Sequence, residues 1–416
     1  MQRPQNTESL YKTSDYEFKI YIPEKDYYEF LRKCPSVSFM QDPVWAKVKD
    51  NWESCICALY HNDDICAGAL LLLRPLPLGK SFIYSPRGLI VDYGDSAVLN
   101  AFTEGLRRFA KSKNAIFATI DPYLVVNKDN GPSHIVLEDG SQEALSFLPS
   151  AGWKHKGFTS DMHDSMQPRY NAMIPLFDNE EELYKHFPKS LRRYMGNGSY
   201  KKGLSFTHTP ATEADLHEFK RLLECTEQRQ NIALRTEDYF RKIAEAFGDR
   251  AIITFATLDI EKYIDYLNDQ LSSGNNVEQC KEKILEANAV MKDRGQHVNL
   301  ATGLVLLPRE DEKFKVAEYI YGGSDLSHFH TLHAPAGLIY ESCVYALKQG
   351  CNYWNIGGMS GDMTEPLSEF KLRFNPCILE YVGDFELVIS KPLYFAYTSL
   401  LPQVRKISHA IAKKKH

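Results

Sequence analysis

Residues 317–358 read AEYIYGGSDLSHFHTLHAPAGLIYESCVYALKQGCNYWNIGG, and their pattern sets the fold class. Ala317 to Tyr321 has the composition of a strand. Pro335 to Lys348 reads as a helix, Gly350 as its stop, and Tyr353 to Ile356 as a second strand running into Gly357-Gly358. Strand, helix and short return make a mixed α/β unit. The same order occurs upstream. Phe82 to Tyr84 is strand-like, and a helix from about Ala97 to Ser112 carries Leu99, Phe102, Leu106 and Phe109 on one stripe. The strand Ile116 to Ile120 then enters Asp121-Pro122. Two copies, alike in pattern and not in residues, predict two similar α/β domains.

Around the first copy, residues 1–15 read as a flexible extension, and Phe18, Ile20 and Ile22 alternate as a strand. A helix over Glu24 to Cys34 and a short one carrying Trp45, Val48 and Trp52 follow. The strands Ile56 to Tyr60 and Ala67 to Leu73 flank Asn62-Asp63-Asp64, a hairpin turn. Around the second copy, Ile260, Ile264, Leu267 and Leu271 recur at helical spacing, as do Val277, Cys280, Ile284, Ala287 and Met291. Ser272 to Asn276 turns the chain between them. This predicts an antiparallel helical hairpin over about 259–293, too short to stand without a folded base. Expected boundaries are 16–175 for the first domain, 176–395 for the second, and 396–416 for a C-terminal basic helix with Val404, Ile407 and Ile411 on one face and Lys413 to Lys415 at its end.

Hydrophobic residues make up 44% and charged residues 25%, the balance of a globular chain. The net charge of -5 excludes a general nucleic-acid binder, so any RNA contact must be local. No apolar run reaches membrane-spanning length and the N-terminus lacks a signal-peptide core, which predicts a cytoplasmic protein. The nine cysteines are scattered and read as reduced. His328, His330 and His333 cluster without carboxylates or cysteines to complete a set of ligands, so no metal is expected.

Several segments resemble the FemABX family of peptidoglycan aminoacyltransferases, most nearly its MurM- and MurN-like, FemX-like members. They are WAKVKDNW (45–52), YSPRGLIVDYGD (84–95), FATIDP (117–122), QPRYNAMIPL (167–176), KSLRRYMGNGSYKKGLSF (189–206), LRTEDYF (234–240), YIYGGSD (319–325), WNIGGMSG (354–361) and FKLRFNPCILEYVGDFEL (370–387). They cover nearly the whole chain in order. The resemblance implies two domains of the GNAT acetyltransferase type with a projecting helical arm. It implies an enzyme that moves an amino acid of the Ser, Ala, Gly or Thr class from aminoacyl-tRNA to the stem-peptide amine of a peptidoglycan precursor, lipid II or UDP-MurNAc-pentapeptide. No cofactor is implied.

Such a reaction needs a grip on phosphate, a held amine, and a cation or dipole at the oxyanion. The resemblance assigns Lys49 and Arg235 to the precursor diphosphate, with Trp52 flanking, and Tyr239 and Tyr321 to its pocket. It assigns oxyanion stabilisation to Lys371 of the pair Phe370-Lys371, and makes Asp92 and Asp121 candidate general bases beside proton transfer assisted by the substrate. Lys189, Arg192, Arg193, Lys201 and Lys202 are expected to meet the tRNA. The basic C-terminus has two readings, a solvated basic tail on a packed terminal helix and a contact with an anionic membrane surface. One motif points elsewhere: Arg193-x-x-Gly196-x-Gly198 matches the loop that holds the pyrophosphate of acetyl-CoA, which would make the chain an acyl-CoA-dependent N-acyltransferase. A precursor-binding protein without turnover is the third reading.

Overall fold

The computed structural model describes residues 6–129 and 140–400, and these described residues form two eight-stranded sheets. Of the expected C-terminal basic helix over 396–416, Ala396–Leu400 form a π-helical turn after the last α-helix, and the remainder, from 401 onward, lies outside the described residues. So do residues 1–5. Among the described residues no helix is long and apolar enough to cross a membrane.

The first half opens with β1 (Glu8–Lys12), paired antiparallel to β2 (Tyr16–Ile20). Residues 8–12 are therefore a strand and not part of a flexible extension. An edge strand has one neighbour and tolerates polar side chains, so β1 lacks the alternation that would reveal it. Helices α1 (Glu24–Leu31) and α2 (Val44–Val48) follow. β3 (Glu53–His61) and β4 (Asp64–Leu76) form a hairpin whose turn residues Asn62 and Asp63 have φ of 49° and 68°. Asn and Asp tolerate this left-handed pair, which matches the twist of the strands. β5 (Lys80–Ser85) leads to α3 (Ser96–Ser112), where the Asp95 carboxylate accepts from the Ala97 and Val98 amides. β6 (Ala115–Ile120) returns parallel to β5. β7 (Val125–Asp129), α4 (Ser141–Ser150) and β8 (Trp153–His155) complete this half.

The second half begins with β9 (Tyr170–Pro175), then three short helices: α5 (Glu180–His186), α6 (Lys189–Arg192) and α7 (Asn197–Tyr200). β10 (Leu204–Pro210) precedes α8 (Glu213–Gln230), which starts with a Thr212–Asp215 capping box, and α9 (Glu237–Phe247). β11 (Ala251–Asp259) runs into the arm, α10 (Ile260–Ser272) and α11 (Val277–Arg294), closed on Tyr263, Leu267, Cys280, Ala287 and Val290. Then come β12 (His297–Leu306), β13 (Val316–Ser324), α12 (Ala334–Lys348), β14 (Tyr353–Met359), α13 (Pro366–Leu372), β15 (Cys377–Tyr381), β16 (Phe385–Val388) and α14 (Lys391–Phe395).

The sheets exchange strands. The first has the order β1-β2-β3-β4-β5-β6-β16-β8 and the second β10-β11-β12-β13-β14-β9-β15-β7. β16, near the end of the described chain, thus lies inside the first sheet, and β7 and β9 belong to the second. The 175/176 boundary read from sequence is not a break between sheets. Each sheet has one parallel pair, β5–β6 and β13–β14, joined by α3 and α12. These crossovers are the two units read from the sequence, and the fold is two mixed α/β units with a helical arm.

The two faces of the second sheet are covered differently. Ile253 and Leu304 pack with α8 and α9, together with Trp45 and Val48 of α2. Their neighbours Ile252 and Val305 pack with α12. Alternation along a strand puts these sets on opposite faces.

Candidate active site

On the α8–α9 face, α2 ends at Val48 and Lys49 leaves the helical conformation at φ -96°, ψ 39°. Its ammonium donates to the Tyr239 hydroxyl at 3.1 Å. It also lies 4.8 Å from the Trp45 ring and 5.0 Å from the Tyr239 ring. Arg235, just before α9, sits 5.4 Å from the same Tyr239 ring. Tyr321 of β13 meets Phe240 edge-on at 5.0 Å and Tyr239 at 6.3 Å. Burial, and then the Arg235 cation, pulls the Lys49 ammonium down to about 8. Neither cation makes an ion pair among the described residues, so two positive charges stand together on aromatic walls with no carboxylate to neutralise them. That is the electrostatics of an anion site.

Four of the five residues assigned to the precursor therefore converge. The fifth, Trp52, borders the same cluster as Trp45, Tyr239 and Tyr321, with its ring turned to other partners. The helix stops before it, and its ring lies on Phe82 (5.9 Å) and under Arg74 (5.6 Å).

The second feature is a wedge between β13 and β14. They pair only from Val316–Tyr353 to Glu318–Asn355 and then part. Beyond that point Tyr319 to Gly323 and Gly357-Gly358 are partly exposed although both strands are central in the sheet. Lys371, on α13, reaches in from the α12 face, where its neighbours Phe370 and Phe374 pack. Its ammonium donates to the Gly358 carbonyl at 2.7 Å. A Cβ on Gly357 would lie 3.2 Å from that nitrogen and 3.7 Å from the Tyr319 carbonyl, which places the ammonium at the mouth of the wedge. Burial pulls Lys371 down to about 8.

The two aspartates sit elsewhere. Asp92 is an exposed turn residue that accepts from the Gly94 amide. It lines a cleft with Phe30, Cys34, Cys66 and Tyr93, all in the first unit, so it does not join Lys371. Asp121 is buried at the end of β6. It accepts from the Arg87 amide at 2.8 Å and faces the Arg87 guanidinium at 3.7 Å. Burial pushes it up to about 7 against the pull of Arg87. That arrangement ties the loop after β5 to the end of β6.

The basic segment divides. Arg192 donates to the Phe187 carbonyl at 2.8 Å and to the Lys185 carbonyl, closing the end of α5. Lys189 and Lys201 are exposed. Arg193 and Lys202 lie 4.8 and 5.0 Å from the Tyr194 ring, whose centroid is 4.1 Å from that of His333 at the start of α12. Lys283 of the arm adds its field at Lys202, and Arg373 adds its field at His333. Sequence reading missed Tyr194, Lys283, His333 and Arg373. They come from four separated segments, and no local signal links them. Arg193, Lys202, Lys283 and Arg373 make no ion pair among the described residues.

The Arg193-x-x-Gly196-x-Gly198 loop joins α6 to α7 and follows no strand. A Cβ on Gly198 would come within 2.5 Å of the Arg193 carbonyl, so the glycine permits a tight turn between helices. A four-residue helix after it offers little dipole for a pyrophosphate. His328 of the histidine cluster bonds Glu286 of the arm at 3.0 Å, and no metal-binding group occurs among the described residues.

The sequence pattern of the FemAB family matches residues 22–279 and 273–401. The chain is 25% identical to aminoacyltransferase FemA of Staphylococcus epidermidis, over 91% of this chain and 98% of that protein. To aminoacyltransferase FemB of the same organism it is 24% identical, over 87% and 92%. The crystal structure of FemX superimposes with a TM-score of 0.74 at 23% identity, covering 90% of this chain and 98% of that one, which shows a shared fold.

Proposed function

The chain belongs to the FemAB family, and on that premise we propose that it is an aminoacyltransferase that takes an amino acid from aminoacyl-tRNA and adds it to the stem-peptide amine of a peptidoglycan precursor. The observation that carries this reading is the placement of two unneutralised cationic sites on opposite faces of one sheet, with the Lys371 ammonium at the opening between them.

Lys49 and Arg235 hold the precursor diphosphate on the α8–α9 face, with Tyr239 and Tyr321 lining the approach. Arg193, Lys202, Lys283 and Arg373 hold the phosphates near the acceptor end of the tRNA on the α12 face, with the Tyr194 ring offering a surface on which a base can stack. The ester carbonyl enters the wedge. The amine attacks it, and Lys371 offsets the charge on the tetrahedral oxygen. The ribose oxygen then leaves and takes up a proton. A lipid-linked acceptor keeps the enzyme at the inner membrane surface, whereas a soluble nucleotide precursor does not.

Label transfer tests the reading. Purified protein is mixed with a lysine-containing precursor, lipid-linked or soluble, and tRNA charged with labelled amino acids. Label on the precursor that RNase abolishes supports the reading and identifies the amino acid. Transfer that needs acetyl-CoA and survives RNase makes the chain an acyl-CoA-dependent enzyme instead.

A further inference from the structure

Glu318 is a carboxylate at the wedge for which the reaction above has no use. It occupies the last residue of β13 that pairs with β14, opposite Asn355. Ala317 packs with α12, as do Trp354 and Ile356, so alternation turns Glu318 and Asn355 to the other face. That is the face of Lys49, Arg235 and Tyr239. A register shift between Leu304 and Val305 puts an extra residue, Ile320, into β13 and brings Tyr321 to the same face as Glu318.

A short polar chain links Glu318 to Lys371. The Asn355 side-chain amide donates to Glu318 at 2.8 Å, and the Asn355 oxygen accepts from the Gly357 amide at 2.8 Å. The Cβ position of Gly357 is 3.2 Å from the Lys371 nitrogen. Glu318 and Lys371 thus stand on opposite sides of one opening, the carboxylate toward the precursor grip and the ammonium toward α12. No ion pair neutralises Glu318 among the described residues.

We infer that Glu318 is the general base that accepts a proton from the acceptor amine, which reacts in its neutral form, as its nitrogen attacks the ester carbonyl. This rests on the aminoacyl transfer proposed above. The step balances: the N–H bond breaks toward Glu318, the N–C bond forms, the C–O bond to ribose breaks, and the ribose oxygen takes up the proton. Glu318 is restored for the next turnover without an oxidant or a further reactant. Asn355 is its positioning residue, holding the carboxylate through one donor and the wedge backbone through its acceptor.

The surroundings suit a base working near neutrality. Burial pushes Glu318 up to about 7, and the Asn355 donor and the more distant Arg87 oppose that rise. Glu312 raises it further. Tyr123 and Tyr381, which feel the Glu318 charge, are themselves held protonated by burial. Asp121 and Asp384, around Arg87, are pushed up to about 7 and about 6, so they titrate in the same range, and the variant is needed to assign the limb.

The test is single-turnover transfer from pre-charged tRNA over pH 5.5–9 for wild type, Glu318→Gln and Glu318→Asp, with precursor affinity measured separately. The expected result is a wild-type rate that falls as pH drops through about 7. Glu318→Gln should lose roughly 10²–10⁴-fold in rate at pH 8, with precursor affinity kept and the acidic limb gone. Glu318→Asp should recover part of the rate and restore the limb. Because the folded site favours the neutral carboxyl, the stability it contributes is present at low pH and lost as pH rises through about 7. Glu318→Gln should therefore melt no lower than wild type at pH 8. Wild-type rates in Glu318→Gln overturn the assignment and leave the transfer reading intact. If Glu318→Gln fails to fold, a wild-type rate flat between pH 6 and 8 overturns it. Wild-type protein that transfers nothing overturns both.

Discussion

Lys49 and Lys371 are both lysines pulled down to about 8 by burial, and their neighbours separate their roles. Lys49 shares Tyr239 with Arg235, and in the proposed reaction that site holds the precursor diphosphate before and after the chemistry. Removing Lys49 takes away ground-state binding. Lys49→Ala and Arg235→Ala should each raise the KM for precursor by the loss of a charge-assisted hydrogen bond, about 1.5–3 kcal/mol, with kcat little changed. Lys371 donates to a backbone carbonyl at the wedge, where in the proposed reaction only the tetrahedral oxygen brings new negative charge. Lys371→Ala should chiefly lower kcat. Both ammonium groups are charged below about 8 and neutral above it. Raising pH through that value should therefore increase KM through Lys49 and decrease kcat through Lys371, which steady-state kinetics at varied precursor resolve.

At the scale of elements, the wedge in β13–β14 and the arm matter most. Gly357 has φ +95°, and its missing Cβ leaves room for the Lys371 ammonium. Gly357→Ala strains that backbone and crowds the cation. It should cut turnover at least tenfold while precursor affinity, set on α2 and α9, stays near wild type. The arm is joined to the body by Arg294–Asp325 at 2.8 Å and Glu286–His328 at 3.0 Å, which orient α11. Lys283 is then carried to the cluster around Tyr194. Lys283→Glu should raise the KM for aminoacyl-tRNA and reduce the salt dependence of binding by roughly one phosphate contact, leaving precursor affinity unchanged.

At the scale of the whole molecule, strand exchange makes two sheets one folding unit. β16 lies between β6 and β8, pairing Phe385 with Ile120 on one side and with His155 on the other. A fragment of residues 1–175 would lack it, leaving β8 without a partner and the edge of β6 open. It should be insoluble alone and recovered as a complex when coexpressed with residues 176–416. The intact chain should show one unfolding transition. A soluble, folded 1–175 fragment would contradict the exchange. The same exchange carries the Arg87 loop of the first unit against Tyr381 of β15, 4.3 Å from its ring, beside the face that holds Glu318.

Local order was legible in the residues themselves. The period of α3 and α12, the alternation in β3 and β4, the Asn62-Asp63 turn and the two arm helices all depend on side chains a few positions apart, so composition and spacing determined them. The strand–helix–strand units and the α/β class followed from their order. Pairing over long distances was not legible. β1 needed its partner to be a strand, Trp52 turned to Phe82 because α2 ended early, and β16 entered a sheet whose other strands lie far upstream. Lys49, Arg235, Tyr239 and Tyr321 stood out singly, but their convergence required α2, α9 and β13 to be packed together. Glu318 carried no mark in the sequence: strand pairing places it at the wedge, and burial there, not its neighbours along the chain, shifts its proton affinity.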